Sequence, residues 1–177
     1  YRLWGPSTAS GGTPGTGEPT AAEEPYSNPE VDLSVGAPYI NYDHSWKYLD
    51  DGSNQGTSWK EVGFNDAGWD SGPGLYGYET SAVPSPGITT PFENPGSPGN
   101  DIITYYFRTT FDFNGTVAGT GISIDTILDD GAGFWLNGQW LGGIGVSEGA
   151  SYTTTAGRTI SDASEEEAVV TSSAPSL

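Results

Sequence analysis

The sequence predicts an all-β fold: an antiparallel β-sandwich of jelly-roll type with an extended N-terminal arm. Three observations carry this. Gly and Pro supply 27 and 13 of the 177 residues, so the chain must turn often. Six Trp, ten Tyr and six Phe stand between those turns, and each brings a large apolar area to a core that is short of aliphatics. No segment repeats its apolar residues at helical spacing.

The elements follow in order. Residues 1–30 read as an arm, with five Gly, five Pro and seven Ser or Thr, a composition of coil and turn. Tyr1, Leu3 and Trp4 form an apolar island at its tip. Residues 31–177 read as the sandwich domain. Val31–Val35 alternates apolar and polar as a half-buried strand does. Further strands are expected at Tyr39–Tyr42, Trp46–Tyr48 and Thr57–Glu61. An irregular loop follows over about 73–100, with prolines at 73, 84, 86, 91, 95 and 98. Ile102–Phe113 is the strongest strand, rich in Tyr, Phe and Thr. Ile122–Leu128 comes next. Phe134–Leu136 and Gln139–Leu141 flank Asn137-Gly138, a strong hairpin signal. Tyr152–Thr155 and Glu167–Thr171 are weaker strands. The expected core holds Trp46, Trp59, Trp69, Phe107 and Phe111.

Charge narrows the partners. Five Lys and Arg face 23 Asp and Glu, a net charge of −18. This argues against nucleic acid and anionic membrane surfaces. With no Cys, disulfides and thiolate chemistry are excluded. With no Met, Tyr1 is not expected to be a native translation start. No apolar run approaches membrane-spanning length.

The motifs that suggest catalysis lack their context. Gly145-Val146-Ser147-Glu148-Gly149 has the letters of a nucleophile elbow, but His44, the only His, lies upstream and no helix follows. Gly72-Pro73-Gly74-Leu75-Tyr76-Gly77 has the letters of a dinucleotide fingerprint without a helix behind it. No enzyme activity is expected. Asp50 to Glu61 has the span of a calcium loop with its turn Gly one place late, at Gly56. Loop carboxylates at Asp50, Asp51, Asp129 and Asp130 are the candidate calcium ligands; capping of their own turns is the plainer reading. Trp140 and Tyr76 are candidates for stacking on sugar rings. Asn114-Gly115-Thr116 is the only glycosylation sequon.

The blocks Trp46–Gly72, Tyr105–Phe111, Leu128–Ala132 and Leu136–Gly138 resemble secreted galactose-binding-like, jelly-roll modules of bacteria, over about residues 40–177. The resemblance implies a non-catalytic, extracellular or surface role. It also implies further strands after Tyr152–Leu177, so the domain is expected to be short of at least one C-terminal strand. A sandwich lacking a strand presents an edge that invites one, and the arm is a strand to supply. The expected function is a structural subunit of an extracellular fibre. Copies would assemble head-to-tail by strand addition, with Tyr1, Leu3, Trp4, Val31, Leu33 and Val35 in the contact. The alternative is a carbohydrate-binding accessory module with a polysaccharide partner.

Overall fold

The computed structural model describes residues 38–78, 87–92, 102–114 and 122–160, together with the backbone of 164–170. All of these belong to one compact unit, Ala37–Leu177. The arm, including Tyr1, Leu3, Trp4 and Val31–Val35, lies outside the described residues.

The fold is all-β. Strand β1 is Ser45–Leu49, β2 Asp70–Pro73, β3 Tyr76–Gly77, β4 Thr90–Pro91 and β5 Tyr106–Arg108. Then come β6 Ile122–Leu128, β7 Ala132–Leu136, β8 Gln139–Ile144 and β9 Ser164–Val170. Four ladders join them: β2-β1-β5, β3-β4, β6-β9 and β7-β8. All are antiparallel except β3-β4.

The strongest local signals were kept. Ile122–Leu128 is β6, and Asn137-Gly138 joins β7 to β8. Both turn residues have positive φ, 49° and 80°, the pair of left-handed conformations that matches the twist of a two-residue hairpin. Trp46–Tyr48 lies inside β1, and β9 begins three residues before the expected Glu167.

Besides Ile102–Phe113, of which β5 is a short part, four expected elements differ, each for a local reason. Residues 39–42 turn instead of pairing, closed by a bond from His44 N to Asn41 O of 3.1 Å. Thr57–Glu61 contains a 3-10 turn, Ser58–Lys60. Gly56 before it has φ 63°, which breaks the extended path that a strand would need. In Tyr152–Thr155 the Ser151 hydroxyl bonds those of Thr153 and Thr154, each at 3.0 Å, so side chains serve the turn in place of a ladder. The 73–100 segment holds β3 and β4, with Pro91 on a two-stranded edge where its missing N–H is tolerated.

The three-stranded sheet is the centre of the fold, and its register sorts the aromatics. Tyr48 stands opposite Phe107, Lys47 opposite Arg108 and Leu49 opposite Tyr106. Directly opposed residues share a face, and successive residues alternate. On the Tyr48–Phe107 face, Tyr76, Phe92 and Tyr105 join the cluster. Phe92 stacks on Tyr105 at 4.7 Å, and Tyr76 meets Phe107 at 5.0 Å. On the Tyr106 face runs a second series. Phe64, Trp69, Tyr106, Trp59, Trp135 and Trp140 follow one another with centroids 4.7–6.1 Å apart.

The core is therefore aromatic, but thinner than expected. Trp69, Phe92 and Tyr106 are its buried apolar residues among those described. Trp46, Trp59 and Phe107 are half-buried. Phe111 is exposed, a correction with a clear cause: the β1–β5 ladder ends at Arg108, and beyond it Phe111 has no sheet to pack under.

Burial pushes the hydroxyls of Tyr48, Tyr76 and Tyr105 above the usual phenol range. Asp70 and Asp50 add to this at Tyr48, and Asp50 adds at Tyr105. A group with a raised folded-state pKa stabilises the fold below its unfolded value, about 10 for Tyr. That stability is lost as the pH climbs through the folded value. The melting temperature is thus expected to fall above about pH 10, and less steeply in Tyr105→Phe. A flat profile through the tyrosine titration would contradict this.

Candidate functional site

The segment around β5 combines strong strand character with little pairing. Among the described residues, only Tyr106–Arg108 of the expected Ile102–Phe113 strand is laddered, and only to β1. Residues 102–105 and 109–114 carry no ladder. Yet by the two-residue period Ile103, Tyr105, Phe107, Phe111 and Phe113 form one apolar row. Ile103 is 45% exposed and Phe111 37%. Tyr39, 55% exposed, closes on this row, with its ring 5.6 Å from Phe111 and 5.5 Å from Phe113. The described body thus covers the middle of this row, where Tyr105 and Phe107 meet Phe92 and Tyr76, and leaves Ile103 and Phe111 exposed on either side. Tyr39 stands one residue inside the point where the described chain begins.

Beside that row lies an open cleft of about 290 Å³, lined by Ser45, Trp46, Lys47, Asp66, Ser71, Arg108, Thr109 and Thr110. It forms where β5 leaves β1. The pairing of Lys47 with Arg108 is the last in that ladder, and residues 109–110 then part from Ser45 and Trp46. His44 Nε2 lies 2.8 Å from Thr109 Oγ1 at the edge of the parting.

Arg108 is held in place. Its Nε donates to Asp66 Oδ2 at 2.8 Å, one Nη1 hydrogen goes to the Trp59 carbonyl, and the guanidinium lies 5.3 Å from the Phe64 ring centre. Its Nη2 makes no hydrogen bond among the described residues. Lys47 Nζ reaches the Trp69 carbonyl at a long 3.4 Å. This cation pair was not singled out in the sequence. The signal was its rarity, two of only five Lys and Arg on two predicted strands; the register that opposes them is not written in either segment.

The other sequence-based candidates are placed as follows. Asp50 and Asp51 follow β1. Asp51 Oδ1 accepts from Ser53 N at 2.8 Å and from Ser53 Oγ at 2.6 Å, which holds its carboxyl below the usual range. Asp129 and Asp130 form the β6–β7 turn. Asp130 Oδ1 accepts from Ile160 N at 2.9 Å, and its carbonyl accepts from Arg158 Nε at 2.6 Å. Asp51 and Asp130 thus act as turn and loop fasteners. Among the described residues no three His, Cys, Asp or Glu gather into a group that would hold a metal.

Tyr76 is half-buried within the aromatic cluster. Its ring meets Tyr48, Phe92 and Phe107. Its hydroxyl donates to the Gly72 carbonyl and accepts from Trp46 N. Trp140 is half-buried, edge-to-face with Trp135 at 4.7 Å. Its indole fits because Gly133 and Gly143 lack side chains: a Cβ would sit 2.9 Å and 2.8 Å from it. At Gly143 the Val146 carbonyl also blocks a side chain. Gly143→Ala is expected to cost about 1–3 kcal/mol by overpacking and to perturb the Trp fluorescence of the hairpin. An unchanged melting temperature would show that the hairpin gives way freely.

Asn114 is exposed after the Phe113 end of the row. Ser147 is exposed in the turn after β8. Gly72–Gly77 runs from β2 into β3, strand to strand.

No known protein family, curated protein or solved structure matches the chain.

Proposed function

We propose that the protein is a non-catalytic structural subunit of an extracellular fibre, built head-to-tail by strand addition from the N-terminal arm of one copy to the body of the next. The observation that supports it most directly is the segment 102–113. It has the sequence of a long strand, one short ladder among the described residues, and an apolar row exposed at Ile103 and Phe111. A strand with an unpaired edge gains backbone bonds from a partner strand. The row gains burial, worth about 25 cal/mol per Å² of apolar area removed from water.

The thinness of the described core supports the same reading. No described side chain is fully buried, so an added strand has much surface to complete. A contact joining the arm of one copy to the body of another is heterologous, and such contacts propagate unless a rotation closes them into a ring.

Electron microscopy of the full-length protein is expected to show filaments. Deleting residues 1–30 is expected to abolish them and leave a monomer in sedimentation. Filaments of the same form from the truncated protein would overturn the reading, as would a monodisperse full-length monomer.

A further inference from the structure

Lys47 and Arg108 stand directly opposite each other on adjacent strands. Like charges in that arrangement destabilise a sheet. The chain has only five Lys and Arg to place among 23 acids, so the opposition is not a consequence of crowding. Asp66 compensates one of the two charges. The other is met by a long bond to a carbonyl. Local rules are broken most readily where a site serves something else, and here the cations line an open cleft with the hydroxyls of Ser45, Ser71, Thr109 and Thr110. Donors of this kind, arranged around two cations, suit a carboxylate.

We propose that the cleft receives the carboxylate of Asp32 from a second copy, seated when that copy's Val31–Val35 adds to the open edge of β5. This rests on the strand-addition reading and names its register. Val31, Leu33 and Val35 alternate with Asp32 and Ser34. Along β5 and its flanks, Tyr105, Phe107 and Phe111 alternate with Tyr106, Arg108 and Thr110. Every register that keeps Asp32 on the Arg108 face satisfies both patterns, and charge selects the one that opposes Asp32 to Arg108. With Asp32 opposite Arg108, the three aliphatics fall on the Tyr105–Phe107 side, one of them opposite Thr109, and Ser34 falls on the polar side. Adjacent strands lie about 4.8 Å apart. The Asp32 backbone would then be one strand from Arg108 and two from Lys47, whose Nζ would leave the Trp69 carbonyl to reach it. The acid adds the negative charge that the pair lacks and fixes the register, because a one-residue slip would turn Asp32 onto the aromatic row.

The test uses the full-length chain, with filament formation read by sedimentation and microscopy and folding read by circular dichroism. Asp32→Asn is expected to raise the concentration needed for filaments roughly tenfold. Asp32→Lys is expected to stop assembly, and Asp32→Lys with Lys47→Glu to restore it. The pairing is wrong if Asp32→Lys polymerises as the parent does. It is also wrong if the charge-swapped double variant, folded, remains a monomer.

The cysteine-free chain allows a second measurement. Asp32→Cys and Arg108→Cys variants, mixed and oxidised, are expected to give a disulfide-linked heterodimer, because the two positions are opposed on one face in this register. A disulfide formed only when both cysteines lie in one chain would place Val31–Val35 on its own β5 and overturn the proposal. If the deletion of residues 1–30 abolishes filaments while these variants behave as the parent, this inference falls and the fibre reading stands. If the parent forms no filaments, both fall.

Discussion

Trp69→Ala is expected to destabilise the protein by about 3–5 kcal/mol, the cost of removing a buried indole and leaving its cavity. Trp69 is 7% exposed, and its ring lies between Phe64 at 5.6 Å and Tyr106 at 6.1 Å. Neither neighbour can follow it into the gap. Tyr106 is fixed in the β1–β5 ladder, and Phe64 is tied by its amide to the Glu61 carbonyl at 3.1 Å. Domains of this size hold only about 5–15 kcal/mol in total. The melting temperature is expected to fall by roughly 10–15 °C. Trp46→Ala, at a half-buried site, is expected to cost less. Equal losses at the two positions would mean that burial at Trp69 does not set the stability of this face.

Arg108→Met comes second. The methionine retains much of the apolar stem but removes three interactions: the Asp66 ion pair, the bond to the Trp59 carbonyl, and the contact with the Phe64 ring. The side chains are 15% and 29% exposed, so solvent screens the pair in part and the full penalty of a buried orphan charge does not apply. A loss of about 2 kcal/mol is expected. Asp66→Asn in the same background should then cost little more, since its partner is already gone. A double-mutant cycle measures this directly. Full additivity of the two changes would show that the ion pair contributes nothing.

The parts of the fold legible in the sequence were those decided locally. The Asn137-Gly138 turn needs two left-handed residues and has them. Ile122–Leu128 has enough β-branched residues to be a strand in most contexts. The parts that were not legible depend on partners. Ile102–Phe113 has strand propensity throughout, but a ladder requires a neighbour, and β1 supplies one for three residues. Phe111 reads as core by residue type and is exposed because the sheet stops before it. The cleft could not be read at all, because two cations 61 positions apart meet only through the register of Lys47 and Arg108. The ring contacts of Tyr76 were hidden for a related reason: they come from Tyr48, Phe92 and Phe107, distant in sequence.

The segment between β1 and β2 carries one more consequence. Trp59 meets both Tyr106 of the central sheet and Trp135 of the hairpin. Lys60 Nζ lies 5.5 Å from the Trp135 ring centre, and the Glu61 carboxylate sits where a side chain on Gly138 would go. The β7–β8 pair has no ladder to any other strand described, so this short turn transmits load between the hairpin and the sheet that backbone bonds do not. Under tension, the hairpin is expected to detach when Trp59 yields, before either ladder unzips. Amide exchange in β7 and β8 should accelerate in Trp59→Leu while that of β1 stays slow.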